Sequence, residues 1–250
     1  HEEQRHPVEA GRLLGVHHRG GDQTLGGLGG QRLGVVGDVR RLHPGGPLAT
    51  DFLLSHLDSG RPLRVLEIGA GVGRTTERML RRGWSVTPIE PNTILRSVLV
   101  GRLGIDAFPG KLETFQAAEP YDAVIAESVI YGTQLADAFS RVHRLLKPGG
   151  LFGFVDMVWT ESADSAAVSE IYERTLEAFG IPMVSPEAYT WPTWRALLSQ
   201  TGFVCVAESR LPLGLPGRSV SKWRLLASGV RHPRAFAQFM RFRRNPVAAQ

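Results

Sequence analysis

Arg64-Val65-Leu66-Glu67-Ile68-Gly69-Ala70-Gly71-Val72-Gly73-Arg74-Thr75-Thr76 is the stretch whose reading decides the fold. Apolar and β-branched residues open it, as they open a buried strand. Three glycines at alternate positions follow, and then a helical pattern with Met79 and Leu80 that Gly83 stops. The stretch therefore reads as a strand, a tight glycine turn and a helix start. Glycine lets such a turn reach positive φ and lets a ligand lie directly on backbone.

The glycine spacing separates two kinds of ligand. Dinucleotide sites use G-x-G-x-x-G. Here the spacing is G-x-G-x-G, Arg74 stands where that fingerprint has its last glycine, and Glu67 precedes Gly69 by two residues. This E-x-G-x-G-x-G pattern resembles the first motif of class I S-adenosylmethionine-dependent methyltransferases. Glu67 can accept hydrogen bonds at the amino-acid end of such a ligand, directly or through water. A tight strand–helix connection with no ligand is the alternative reading of the same residues.

Downstream residues fit the same frame. Trp84 to Pro91 reads as a second strand ending in an acid, Glu90, which lies 21 residues after Gly69. An acid at that strand end can hold both hydroxyls of a ribose, because a carboxylate only accepts and has room for two donors. Asn92 to Val100 reads as a helix with Asn92 as its cap. Ile105 to Phe108 is a short third strand. In the family, the loop after it often carries an acid that accepts from the adenine amino group. Here that position is Lys111, a donor. Backbone near Lys111 and Leu112, or Glu113, is left to hold adenine, or affinity is reduced.

Tyr121 to Ala126 is a fourth strand, buried on both faces by its composition. It exits through Glu127, Ser128 and Tyr131, close to where ligands sit in open parallel sheets. A helix with Leu135, Phe139, Val142 and Leu146 on one face follows, with His143 off that stripe and exposed. Leu145-Leu146-Lys147-Pro148-Gly149-Gly150 turns into a strand from Leu151 to Met157 that contains Asp156. This L-K-P-G-G turn also resembles class I methyltransferases, particularly the branch acting on small metabolites. Ser162 to Gly180 reads as an added helix. Met183, Tyr189, Trp191 and Trp194 after it either wall a substrate pocket or pack the insertion onto the sheet. Pro192 to Ser199 reads as a short helix and Phe203 to Leu211 as a strand. Beyond Pro216, Trp223 to Leu226 reads as strand or helix and Ala235 to Phe242 as helix.

The fold class expected is α/β: a doubly wound, mainly parallel Rossmann-like sheet with helices on both faces and a helical lid insertion at about 160–200. Three regions are expected. Residues 1–46 hold 12 of the 29 glycines and five histidines without ligand spacing, and read as an extension that is loosely packed or partly disordered and adds little to the core. Residues 47–215 form the catalytic domain. Residues 216–250 form a basic segment, with five arginines and no acid from Arg231 to Gln250.

Composition bounds the rest. Hydrophobic residues at 42% and charged residues at 21% suit a globular protein, and no run approaches a membrane span of about 18 apolar residues. One cysteine, Cys205, excludes an intrachain disulfide and fits a reducing, cytoplasmic setting. The net charge of +5 leaves an RNA or protein methyltransferase as an alternative, but no aromatic-interleaved basic track marks a nucleic-acid surface. A nicotinamide oxidoreductase and a non-catalytic methyltransferase-like partner are the other rivals. The resemblance, which covers about residues 48 to 211, implies methyl transfer from S-adenosyl-L-methionine to O, N or C of a partly apolar small molecule. The cofactor would lie against Glu67, Gly69, Ala70, Gly71, Gly73, Glu90, Pro91, Lys111, Leu112 and Glu127. Glu127, Tyr131 and Asp156 are the candidate catalytic residues by location, and no metal is expected.

Overall fold

Six parallel strands form one sheet in the order β3-β2-β4-β5-β1-β6 in the computed structural model, which describes residues 11–20, 46–159, 165–179 and 190–210. The strands are β1 (Gly11–Gly20), β2 (Arg64–Ile68), β3 (Ser85–Ile89), β4 (Tyr121–Glu127), β5 (Leu146–Trp159) and β6 (Phe203–Arg210). The helices are α1 (Gly46–Leu57), α2 (Arg74–Leu80), α3 (Thr93–Leu103), α4 (Leu135–Leu145), α5 (Ser165–Phe179) and α6 (Trp191–Gln200). Among the described residues, no helix is long and apolar enough to cross a membrane.

Strand alternation sends neighbouring residues to opposite faces. Val65, Ala123, Ile125 and Val155 meet Leu53, Leu54 and Leu57 of α1 and Met79 of α2 in one core. Leu66, Val124, Phe152 and Phe154 meet Phe139 and Val142 of α4 and Trp194 and Leu198 of α6 in the other. By the same alternation, Glu67 and Glu127 fall on the α1–α2 face. Both faces of the central strands are therefore covered, which is why these strands read as near-continuous apolar runs.

Several elements differ from the sequence expectation. Residues 11–20 of the glycine-rich N-terminal stretch form a strand that pairs with β5 and β6, so this part of the stretch is built into the sheet. The expected third strand is reduced to a single bridge between Phe108 and Ile89. The L-K-P-G-G turn lies inside β5: Leu146 pairs with Tyr121 and Leu151 with Ala123, so the residues between bulge out, with Gly149 at φ +71°. His143 is half-buried, its ring meeting Phe203 edge-on at 5.3 Å. Trp191 and Trp194 belong to the core, Trp194 being fully buried. The helix expected from Ser162 is described from Ser165 to Phe179. Met183, Tyr189 and the whole of 211–250 lie outside the described residues.

Candidate functional site

The chain reverses direction across the sheet at β2: β3 lies on one side of it and β4, the next strand in sequence, on the other. Such a switch point opens a crevice beyond the carboxyl ends of the strands. The glycine turn stands at its mouth. Gly69, Gly71 and Gly73 all have positive φ, at +70°, +56° and +79°. The three glycines serve different ends. A Cβ on Gly69 would lie 2.3 Å from Val129 Cγ1, and one on Gly73 would lie 2.8 Å from Leu99 Cγ, so protein fills both places. A Cβ on Gly71 would meet nothing within 4 Å, so there the backbone faces open space. The N–H groups of Gly69 and Ala70 both donate to the Ile89 carbonyl, at 2.9 and 3.0 Å, which ties the turn to the end of β3.

Glu90, just past β3, turns back to the same place. Its Oε2 accepts from the Gly71 N–H at 2.8 Å and its Oε1 from the Asn92 N–H at 2.7 Å. Each carboxylate oxygen keeps a lone-pair site for a further donor. Burial pushes the Glu90 carboxyl above its ordinary value, against the two N–H groups and the Arg96 charge, which favour ionisation. Arg96 also donates to the backbone carbonyls of Glu90 and Pro91, at 2.8 and 3.2 Å. Asn92 caps α3 as expected, its side chain accepting from Ile94 and Leu95 N–H. Below this corner, Lys111 is exposed and precedes a single 3-10 turn, Leu112–Thr114, in which Leu112 is buried.

Two further carboxylates lie on the α1–α2 face. Glu67 is 4% exposed and accepts from the Thr76 hydroxyl of α2. Glu127 accepts from the hydroxyls of Thr50 in α1 at 2.7 Å and Thr75 in α2 at 2.5 Å. Burial, with the charges of Glu127 and Glu90 added, pushes the Glu67 carboxyl from 4.5 up to about 8, in spite of the Thr76 hydrogen bonds. The folded chain thus holds a proton between about pH 4.5 and 8 that the unfolded chain releases. Stability should fall with rising pH across that window, at about 1.4 kcal/mol per unit from this group, and level off above it. Glu67→Gln keeps the shape and removes the titration. Its advantage in melting temperature over the parent should widen steadily from pH 5 to 8, and a gap that stays constant with pH would contradict the assignment.

The three candidate catalytic residues are placed differently from one another. Glu127 is half-buried at the crevice end of β4. Asp156 is fully buried, and its Oδ2 accepts from the N–H groups of Ile130 and Tyr131 at 3.0 and 3.2 Å. These two bonds brace the loop after β4. Tyr131 is 8% exposed, and burial, with the Asp156 charge second, raises its phenol well above the ordinary range. A phenol so raised is a poor base near neutral pH. Sequence reasoning missed the hydroxyls of Thr50 and Thr75, because nothing in their spacing shows that two helices converge on one carboxylate.

Comparison with known proteins finds methyltransferases. Residues 65–150 match the family model described as a methyltransferase domain. An uncharacterized methyltransferase of Mycobacterium tuberculosis is 31% identical over 133 residues, covering 50% of this chain and 50% of that protein. A non-reducing polyketide synthase of Penicillium brasilianum is 29% identical over 124 residues, covering 42% of this chain and 5% of the synthase. Among solved structures, the cyclopropane synthase MmaA2 of Mycobacterium tuberculosis superposes with a TM-score of 0.57 at 15% identity, covering 77% of this chain and 75% of that one. That likeness is one of fold. The chain spans about half the length of the curated methyltransferases at the head of these relatives, and far less of the synthase.

Proposed function

We propose that this chain is a class I S-adenosylmethionine-dependent methyltransferase that transfers a methyl group from S-adenosyl-L-methionine to O, N or C of a small molecule. The observation that carries this is the pairing of Gly71 with Glu90. The backbone there faces open space, and the two carboxylate oxygens beside it are each fixed by one N–H with capacity left for another donor. That donor set suits a ribose with two adjacent hydroxyls.

The residues present fit the cofactor. Glu90 would hold the ribose and the glycine turn would lie along the ligand. Glu67 and Glu127 would face its cationic amino-acid end. Adenine would rest near Pro91, Lys111 and Leu112 on backbone and apolar contacts, since Lys111 supplies no acceptor. When bound, S-adenosyl-L-methionine supplies an activated methyl whose leaving group is a neutral thioether, so the protein need not protonate it.

The chain's own work is then to align, desolvate and restrain. Val129, packed on Gly69, and the loop held by Asp156 set the position of the β4 end. Tyr131 and Asp156 act by packing and bracing. Of the three, Glu127 contacts the reactants, either orienting an amine or taking a proton from the acceptor. The acceptor would enter beyond β4 and β5. A partly apolar small molecule is the class favoured, with α5 as the cover.

Calorimetry with S-adenosylhomocysteine tests the reading. The parent should bind. Gly71→Val puts a branched side chain into the open space and onto a positive φ, and should weaken binding at least tenfold with little change in fold. Equal binding by parent and variant would remove the glycine turn from the site, and no binding by the parent would remove the cofactor.

A further inference from the structure

Ser128 stands next to the crevice with a side-chain hydroxyl that is buried and unpartnered. It follows Glu127 at the carboxyl end of β4. Among the described residues it is the one non-glycine with positive φ, at +58°. Both features are unfavourable for the folded chain alone. A left-handed backbone is strained for a residue with a Cβ, and a buried hydroxyl without a partner has lost its water for nothing.

The surroundings impose this conformation. The Ser128 N–H donates to the Val155 carbonyl at 2.7 Å, which anchors the residue to β5. Val129 is seated against Gly69, and the next two N–H groups are held by Asp156. The backbone is thus pinned on both sides of Ser128. Strain that the neighbours over-determine, together with an unsatisfied polar atom, is characteristic of a position that meets a ligand.

We infer that the Ser128 hydroxyl hydrogen-bonds the amino-acid end of the bound methyl donor. This rests on the cofactor reading above. With the ribose at Glu90 on the β3 side of the glycine turn, a ligand lying along that turn carries its other end toward β4. There Val129 fills the space against Gly69 and Ser128 is the adjacent residue. A hydroxyl can accept from an ammonium and donate to a carboxylate, so it matches either group of an amino acid.

The test uses calorimetry on the full chain with two probes, S-adenosylhomocysteine and 5′-methylthioadenosine, which lacks the amino-acid end. Ser128→Ala removes the hydroxyl and keeps the strain, whereas Ser128→Gly removes both. Both variants should bind S-adenosylhomocysteine about tenfold or more weakly, the factor expected for a lost hydrogen bond to a charged group, and 5′-methylthioadenosine as the parent does. Ser128→Gly should also melt about 2–4 °C higher than the parent. Unchanged affinity for S-adenosylhomocysteine in both variants would overturn the inference. So would an equal loss for the two probes, which would place the hydroxyl at the nucleoside. Failure of the parent to bind either probe would instead bring down the cofactor reading, and this inference with it.

Discussion

Trp194→Ala should lower the melting temperature by about 6–20 °C, the result of losing roughly 3–5 kcal/mol in a chain of this size. The side chain is fully buried, with its ring centre 5.4 Å from that of Phe154 and 5.7 Å from that of Phe139. Removing it leaves a cavity between α4, α6 and the sheet that these two aromatic neighbours cannot collapse to fill. Trp194→Phe is the informative companion. It keeps an aromatic ring in place and discards an indole N–H that is buried without a partner, so its loss should be far smaller. Thermal melts of both variants, with S-adenosylhomocysteine affinity measured on Trp194→Phe, separate core from pocket. Near-parental stability of Trp194→Ala would return this residue to the substrate wall.

Glu90→Ala should cost S-adenosylhomocysteine binding about a hundredfold or more. Two hydrogen bonds from ribose to a carboxylate are worth roughly 3 kcal/mol together. The variant also leaves the N–H groups of Gly71 and Asn92 without their acceptor, so the glycine turn loses a brace at the moment the ligand loses a contact. A modest fall in melting temperature should accompany the loss of affinity. Glu90→Gln keeps the volume and one acceptor oxygen, and should fall between Glu90→Ala and the parent. A parental dissociation constant in Glu90→Ala, measured by calorimetry on folded protein, would exclude the ribose assignment.

How far the sequence could be read depended on the range of the interaction. The strand, glycine turn and helix from Arg64 to Leu80, and the cap at Asn92, follow from local rules of conformation and hydrogen bonding. Those rules act within a few residues, and the structure follows them. The two tryptophans were ambiguous because aromatic residues at helical spacing line pockets and cores alike, and only the position of α6 over Phe139 and Phe154 decides between these. The place of Asp156 near the end of β5 is visible in the sequence, while the N–H groups it serves lie about 26 residues away and are not. The place of Ser128 at the exit of β4 was legible, but its left-handed backbone was not, since that conformation is imposed by Val129, Val155 and Asp156 acting together. Residues 11–20 misled because their glycines lower strand propensity, whereas their place in the sheet depends on pairing with β5 and β6.

The reversal of strand order at β2 also bears on how the protein is made. On one side, Val65 pairs with Val86, about 20 residues further along; on the other it pairs with Ala123, about 60 residues further along. A ribosome adding about 5–20 residues per second therefore presents β2 with one neighbour several seconds before the second exists. During that interval one edge of β2, apolar on both faces, is bare beside the incomplete switch point. The crevice that admits a ligand in the finished protein is, in the nascent chain, the place most in need of protection from a stray strand, and a chain that stops before β4 should be captured by chaperones or aggregate.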